Sequence, residues 1–139
     1  MLETRVISQR VYVLAEPHAV YETWVDALRH SELTGMPCEI HGHPNGEFRV
    51  GENLIEGTFL ELLPGRRIIQ TWKISAYGWP VDHFSTLQLE LRPEGRGTVV
   101  TLEQRDVPLV CLPFIEAGWY SYYWHPMGAS SFPRNLTAR

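Results

Sequence analysis

The sequence predicts an α+β domain: a curved antiparallel sheet wrapped around a long C-terminal helix, with short helices after the first strand. Three observations carry this. Between Cys38 and Gln104, segments of alternating apolar and polar residues are separated by short turns, the pattern of an antiparallel meander. Between Leu112 and Ser131, the residues Leu112, Ile115, Trp119, Tyr122, Tyr123 and Met127 recur at the spacing of one helical face. Each strand segment presents an apolar face that needs a cover, and this helix is the best candidate for it.

Val6 to Leu14, rich in β-branched and aromatic residues, reads as the first strand and ends at Glu16-Pro17. Pro17 suits the first turn of a helix, and His18 to Arg29 places Val20, Tyr21, Trp24 and Leu28 on one face. Asp26, Arg29, His30 and Glu32 form the polar side, and a second short helix fits Ser31 to Leu33 before Gly35 and Pro37. Cys38 to Gly42 and Glu47 to Val50 flank a turn containing Asn45-Gly46, a strong hairpin signal. Leu54 to Leu63 is a longer strand with Gly57 inside it, which suggests a bend or a close approach. Arg67 to Ser75, Val81 to Leu91 and Thr98 to Gln104 complete the set, with an aromatic loop at Tyr77-Gly78-Trp79-Pro80. Pro113 opens the long helix and Pro126 predicts a kink in it. The expectation is one domain over residues 1–139, ordered from about residue 5 to 131, with a fraying tail at 132–139.

Composition narrows the function classes. The chain has 139 residues, 44% hydrophobic and 20% charged, with a net charge of −4. No basic run occurs, which argues against nucleic acid as a partner. No apolar run approaches a membrane span and no export signal is visible, so a cytoplasmic location is expected. Cys38 and Cys111 are then expected as free thiols.

Few residues suggest chemistry. His41 and His43 lie close together, but no further ligand follows at a metal-binding spacing, so no metal is expected. No nucleophile signature, phosphate-cradling loop or dinucleotide fingerprint occurs, so neither a catalytic residue nor a cofactor is expected. His83 shares strand parity with Ser85 and Leu87 and reads either as a ligand-facing imidazole or as a structural group held by a backbone partner. Glu61 shares parity with Gly57 and Phe59, yet Leu60 and Leu62 make the other face apolar too, so its side is ambiguous.

The run Gly57, Thr58, Phe59, Leu60, Glu61, Leu62, Leu63, Pro64, followed by Ile68, Ile69, Gln70, Thr71 and Trp72, resembles the START-like helix-grip superfamily. More closely, it resembles the C-terminal domain of activators of heat-shock protein 90 ATPase and their stand-alone homologues. Trp79-Pro80 with His83 to Thr86, Val107-Pro108, Gly118-Trp119 with Tyr122-Tyr123, and Pro17 to Tyr21 fit the same group. The family often has a Gly-Gly pair where Asn45-Gly46 stands, and many relatives lack Pro126. The resemblance implies a helix-grip fold and a cavity between helix and sheet, where members of the wider superfamily bind lipids, hormones or polyketides.

The inward-parity positions supply a candidate lining for such a cavity: Gly57, Phe59, Gln70, Trp72, His83, Ser85, Leu87, Leu102 and Gln104 from the sheet, with Trp119, Tyr122 and Tyr123 from the helix. Large apolar groups with a few polar ones are what small-molecule sites look like. Gln70 and Gln104 either orient a ligand or bond to each other or to tyrosine hydroxyls. Gly57 is expected to leave space in mid-sheet, and Gly57→Leu to fill it in a folded protein. Trp124 is expected to point outward and support a weak homodimer. The leading expectation is a small apolar or aromatic ligand held in the cavity. A module that touches a heat-shock protein 90-type chaperone stands second, and a cyclase- or hydratase-like enzyme using His83 or Glu61 third.

Overall fold

The computed structural model describes residues 1–131. The element order is β1 (Thr4–Val13), α1 (Pro17–Val25), α2 (Ala27–Thr34), β2 (Cys38–Ile40), β3 (Glu47–Val50), β4 (Ile55–Leu63), β5 (Arg67–Ile74), β6 (Ser85–Glu94), β7 (Gly97–Pro108), a 3₁₀ turn (Leu109–Cys111), α3 (Leu112–Trp119), a π-helical turn (Tyr120–Trp124) and β8 (Ser130–Ser131). All strand pairs are antiparallel, and the sheet runs in the order β2-β3-β4-β5-β6-β7-β1-β8. The sheet curves around α3, so the helix-grip architecture is present. The expected fraying of 132–139 lies outside the described residues.

Strand alternation sets the core. Along β5, Ile68, Gln70, Trp72 and Ile74 face inward, and along β6 Ser85, Leu87, Leu89 and Leu91 do the same. β4 begins in the same phase and then slips. A bulge at Leu60 lies between the pairs Phe59–Gln70 and Glu61–Ile69. Past a one-residue bulge the two faces exchange. Leu60 is therefore exposed, Leu62 packs on the core, and Glu61 leaves the inner face to pair with Arg67 at 3.2 Å.

The helical region differs from the expectation at one residue. Asp26 adopts an extended conformation, and its carboxylate accepts a hydrogen bond from the Arg29 N–H at 3.0 Å. This ends α1 and caps α2. The interruption resets the helical phase, so Leu28 turns outward and is 69% exposed, while His30 turns inward and is 4% exposed. His30 Nδ1–H donates to the Trp24 carbonyl at 2.9 Å, and Nε2 accepts from the Tyr123 hydroxyl at 2.8 Å. Burial holds the imidazole pKa below its usual value, opposed by the bond to the Trp24 carbonyl.

The C-terminal helix is shorter than the expected Leu112–Ser131 stretch. It ends in a π turn, closed by the His125 N–H donating to the Tyr120 carbonyl at 2.8 Å, and the chain finishes as β8 beside β1. Pro126 would clash with the carbonyl four residues earlier in an α-helix, and the turn widens just ahead of it. The extra residue per turn lets the neighbours Tyr123 and Trp124 both face inward. The expectation of an outward Trp124 is thereby corrected: it is 2% exposed, and its indole N–H donates to Gln9 Oε1 at 2.7 Å. The homodimer expected through it loses its contact.

Gly57 is corrected as well. A Cβ there would lie 2.0 Å from the Thr71 carbonyl oxygen and 2.7 Å from Phe48 Cζ. The glycine admits the β5 backbone and the Phe48 ring, and leaves no space for a ligand. Both thiols are free: Cys38 donates to the Met36 carbonyl and Cys111 to the Tyr77 carbonyl, and burial raises the pKa of each.

Two outcomes follow. Gly57→Ala should destabilise the domain by about 1–3 kcal/mol, and Gly57→Leu should fail to fold, as read by urea denaturation. The His30 environment favours the neutral ring, so the unfolded chain takes up a proton first as pH falls. Stability is fully present above the unfolded-state pKa of about 6.5 and declines below it, by at most about 1.4 kcal/mol per pH unit. Thermal midpoints between pH 7.5 and 5 should fall in the wild type and change less in His30→Asn; parallel profiles would contradict this.

Candidate functional site

The inward-facing polar groups of the sheet are bonded to tryptophans. Gln70 Oε1 accepts from the Trp24 indole at 2.8 Å, and Gln104 Oε1 accepts from the Trp119 indole at 2.9 Å. The Gln104 amide donates to Ser85 Oγ at 3.0 Å, and Ser85 donates to the Trp72 carbonyl at 2.8 Å. Each buried amide thus ties a helix to the sheet. The partners are indoles and a serine, not the tyrosine hydroxyls weighed from the sequence. Phe59, Leu87 and Leu102 are sealed in the core around these bonds, at 1% exposure or less. The void beside Gln70, Phe59 and Tyr123 measures about 10 Å³, the limit for a single water.

His83 stands apart from this interior. It is half-buried at the end of the sheet, and its Nε2 lies 2.6 Å from the Asp106 carbonyl oxygen. The Trp79 indole donates to the His83 carbonyl at 2.7 Å. Its role is structural, joining the β5–β6 loop to β7. Glu61 shares Arg67 with Glu90 on the outer face. The two groups weighed as acid or base lie away from each other and from the helix–sheet interior. His41 lies 3.3 Å from Glu39, and His43 Nδ1 lies 3.0 Å from the Pro44 carbonyl, both in an exposed turn.

Space opens elsewhere, along one side of α3 and the π turn. An apolar cleft of about 80 Å³ lies between α3 and the strands β4 and β5. Of the expected lining residues, Trp72, Trp119, Tyr122 and Tyr123 border it. Gly57, Phe59, Gln70, His83, Ser85, Leu87, Leu102 and Gln104 do not. Sequence reasoning missed Met36, Leu54, Ile55, Ile74, Tyr77, Phe114, Ile115 and Gly118, which complete the wall and rim. Met36 and Leu54 come from turns, where periodicity carries no signal. Phe114 lies off the apolar stripe of the helix and is 52% exposed.

Three features mark the rim. The Tyr77 and Phe114 rings stack nearly parallel, with centroids 4.7 Å apart and 2° between planes. Tyr77 holds this position with φ at 57°, a conformation that bulky residues avoid. Its carbonyl accepts from the Cys111 thiol at 3.3 Å, which fixes the strained loop to the start of α3. Gly118 sits inside α3, where glycine is a poor helix former, and a Cβ there would meet nothing within 4 Å. The third feature is Trp72. The other four indole N–H groups each have an acceptor, but that of Trp72 has none among the described residues. Among the described residues no buried side-chain nitrogen or oxygen is left unpaired, so this N–H reaches accessible space, and Trp72 borders the cleft.

The lining carries no charged side chain. Burial raises the Tyr123 hydroxyl far above its usual pKa, with Cys38 adding to the rise. Among the described residues no group of three or more His, Cys, Asp or Glu is placed to hold a metal ion, and no helix is long and apolar enough to cross a membrane.

Comparison with known proteins agrees with this architecture. An HSP90 activator from Plasmodium falciparum superposes with a TM-score of 0.81 at 19% identity, covering 90% of this chain and 97% of that one. CalU16 from Micromonospora echinospora gives 0.75 at 24% identity, over 91% of this chain and 75% of that one. The human activator of 90 kDa heat shock protein ATPase homolog 1 is 24% identical over 123 residues, which is 88% of this chain and 36% of that protein. The chain spans little over a third of the length of the curated relatives it matches first. The family described as Activator of Hsp90 ATPase homolog 1-like protein matches residues 14–128, most of the sequence, and the chain belongs to that family.

Proposed function

We propose that this domain is a non-catalytic binding module that engages an Hsp90-type chaperone ATPase through the cleft between α3 and β4–β5. The observation that carries the reading is the division between a filled interior and an open aromatic cleft. The inward polar groups, which the sequence offered as ligand contacts, are taken up in bonds between helices and sheet. The aromatic cleft between helix and sheet, about 80 Å³, is well below the roughly 300–1,000 Å³ of small-molecule pockets. It suits one side chain of a partner better than a lipid or a polyketide. Half-exposed Tyr77, Phe114 and Tyr122 gather at its mouth, and aromatic residues at a rim are typical of protein interfaces.

Family membership supports the class of partner, since the human relative and the Plasmodium falciparum structure are named as activators of Hsp90 or its ATPase. His83 and Glu61, the groups on which an enzymatic reading depended, are engaged in structural contacts. The reading keeps the cytoplasmic location expected from the sequence. It concerns docking; stimulation of the ATPase is a separate property to be measured.

Gly118 supplies the test. Gly118→Leu adds apolar volume at the cleft from a position where a Cβ meets nothing within 4 Å, on a helix that prefers leucine to glycine. It should fold at least as stably as the wild type. Its affinity for a purified Hsp90-type ATPase, measured by calorimetry, should fall by about tenfold or more, the effect of losing one buried anchor. Undiminished binding by a folded Gly118→Leu, or no binding by the wild type, would contradict the proposal.

A further inference from the structure

The cleft also specifies what enters it, an inference that rests on reading it as the partner-binding surface. Trp72 is 95% buried, as its 5% exposure shows, yet its indole N–H has no acceptor among the described residues. It borders two spaces. One is the void of about 10 Å³ beside Gln70, too small for more than a water; the other is the cleft. With the donor opening to the cleft, a purely apolar group closing over it would strand the N–H in a dry site, which is costly. A charged group would find no counter-charge, because the lining contains none. The walls are rings: Trp72 and Trp119 pack 5.6 Å apart within, and Tyr77 lies on Phe114 at the rim. Such walls favour another ring, set face or edge against them. The left-handed conformation of Tyr77 supports use of the rim, because backbone strain of this kind gathers at ligand clamps.

We infer that the Trp72 indole N–H opens to the cleft and that the anchor entering it is an uncharged, ring-sized aromatic side chain of the partner protein that brings one oxygen acceptor to this N–H. Gly118 keeps its path open, and Tyr77 with Phe114 contacts its outer edge.

Two small compounds of nearly the same shape isolate the hydrogen bond. Acetophenone carries a carbonyl acceptor, and ethylbenzene does not. Each is titrated into the ¹⁵N-labelled protein while the indole N–H signals and the Gly118 amide are followed. Acetophenone should bind about tenfold more tightly, the usual scale of one satisfied buried donor. It should shift the Trp72 indole proton downfield, where ethylbenzene moves only the Gly118 amide. Trp72→Phe should erase the difference between the compounds, and if that variant does not fold, the wild-type indole shift carries the test. Equal affinities, a Trp72 signal that stays still while Gly118 moves, or binding of neither compound at millimolar concentration would overturn the inference. None of these would touch the partner reading, which fails separately if the bound chaperone leaves the Gly118 and Tyr122 signals unmoved.

Discussion

Hydrogen bonds from buried indoles to glutamine side chains, two of them buried, hold this fold together. Trp24 on α1 reaches Gln70 on β5, Trp119 on α3 reaches Gln104 on β7, and Trp124 on the π turn reaches Gln9 on β1. Each bond joins a helical element to a strand at the core. A glutamine buried without a partner would cost more than its bond contributes, so these amides and the indole positions depend on one another. The rings add a continuous stack, from Trp79 through Trp72, Trp119 and Trp24 to Trp124, with neighbouring centroids 5.5–6.3 Å apart. The sheet's grip on its helices is therefore polar as well as apolar, and it occupies the positions where a ligand's polar contacts would stand.

The same dependence explains where the cleft lies. Gln104 and Ser85 occupy the centre of the sheet, and α3 is held tightly there through Trp119. On its cleft side α3 carries Phe114 and Gly118, which face a strand wall that includes Ile55 and Ile74. Trp72 sits at the boundary, with its backbone carbonyl engaged by Ser85 and its N–H open. The cleft is thus the part of the helix–sheet interface that the network leaves unclosed.

The sheet was legible in the sequence because alternation is a direct imprint of the pleat. In β5 and β6, Ile68, Trp72, Leu87 and Leu89 were placed on the inner face by parity alone. The errors lie where one residue changes the phase. The break at Asp26 exchanged Leu28 for His30 and the π turn brought Trp124 inside, while the bulge at Leu60 decided the side of Glu61, which parity left ambiguous. Each break is set by local geometry, and a periodic reading passes through it unaltered. At the site, parity located the polar groups but not their partners. An inward glutamine looks the same whether it faces a ligand or an indole. Gly57 misled for a related reason: a missing side chain can serve empty space or a close neighbour, and here Phe48 and the Thr71 carbonyl fill the place.

The claim that the interior is closed by indole bonds, with one indole left over at the cleft, is open to a direct measurement. Solvent exchange of the five indole N–H protons is resolved residue by residue in the free protein. The account predicts slow exchange for Trp24, Trp79, Trp119 and Trp124, and exchange at least about a hundredfold faster for Trp72, because its donor is unbonded and reaches open space. Protection of Trp72 equal to the others, or fast exchange at Trp24 or Trp119, would contradict it.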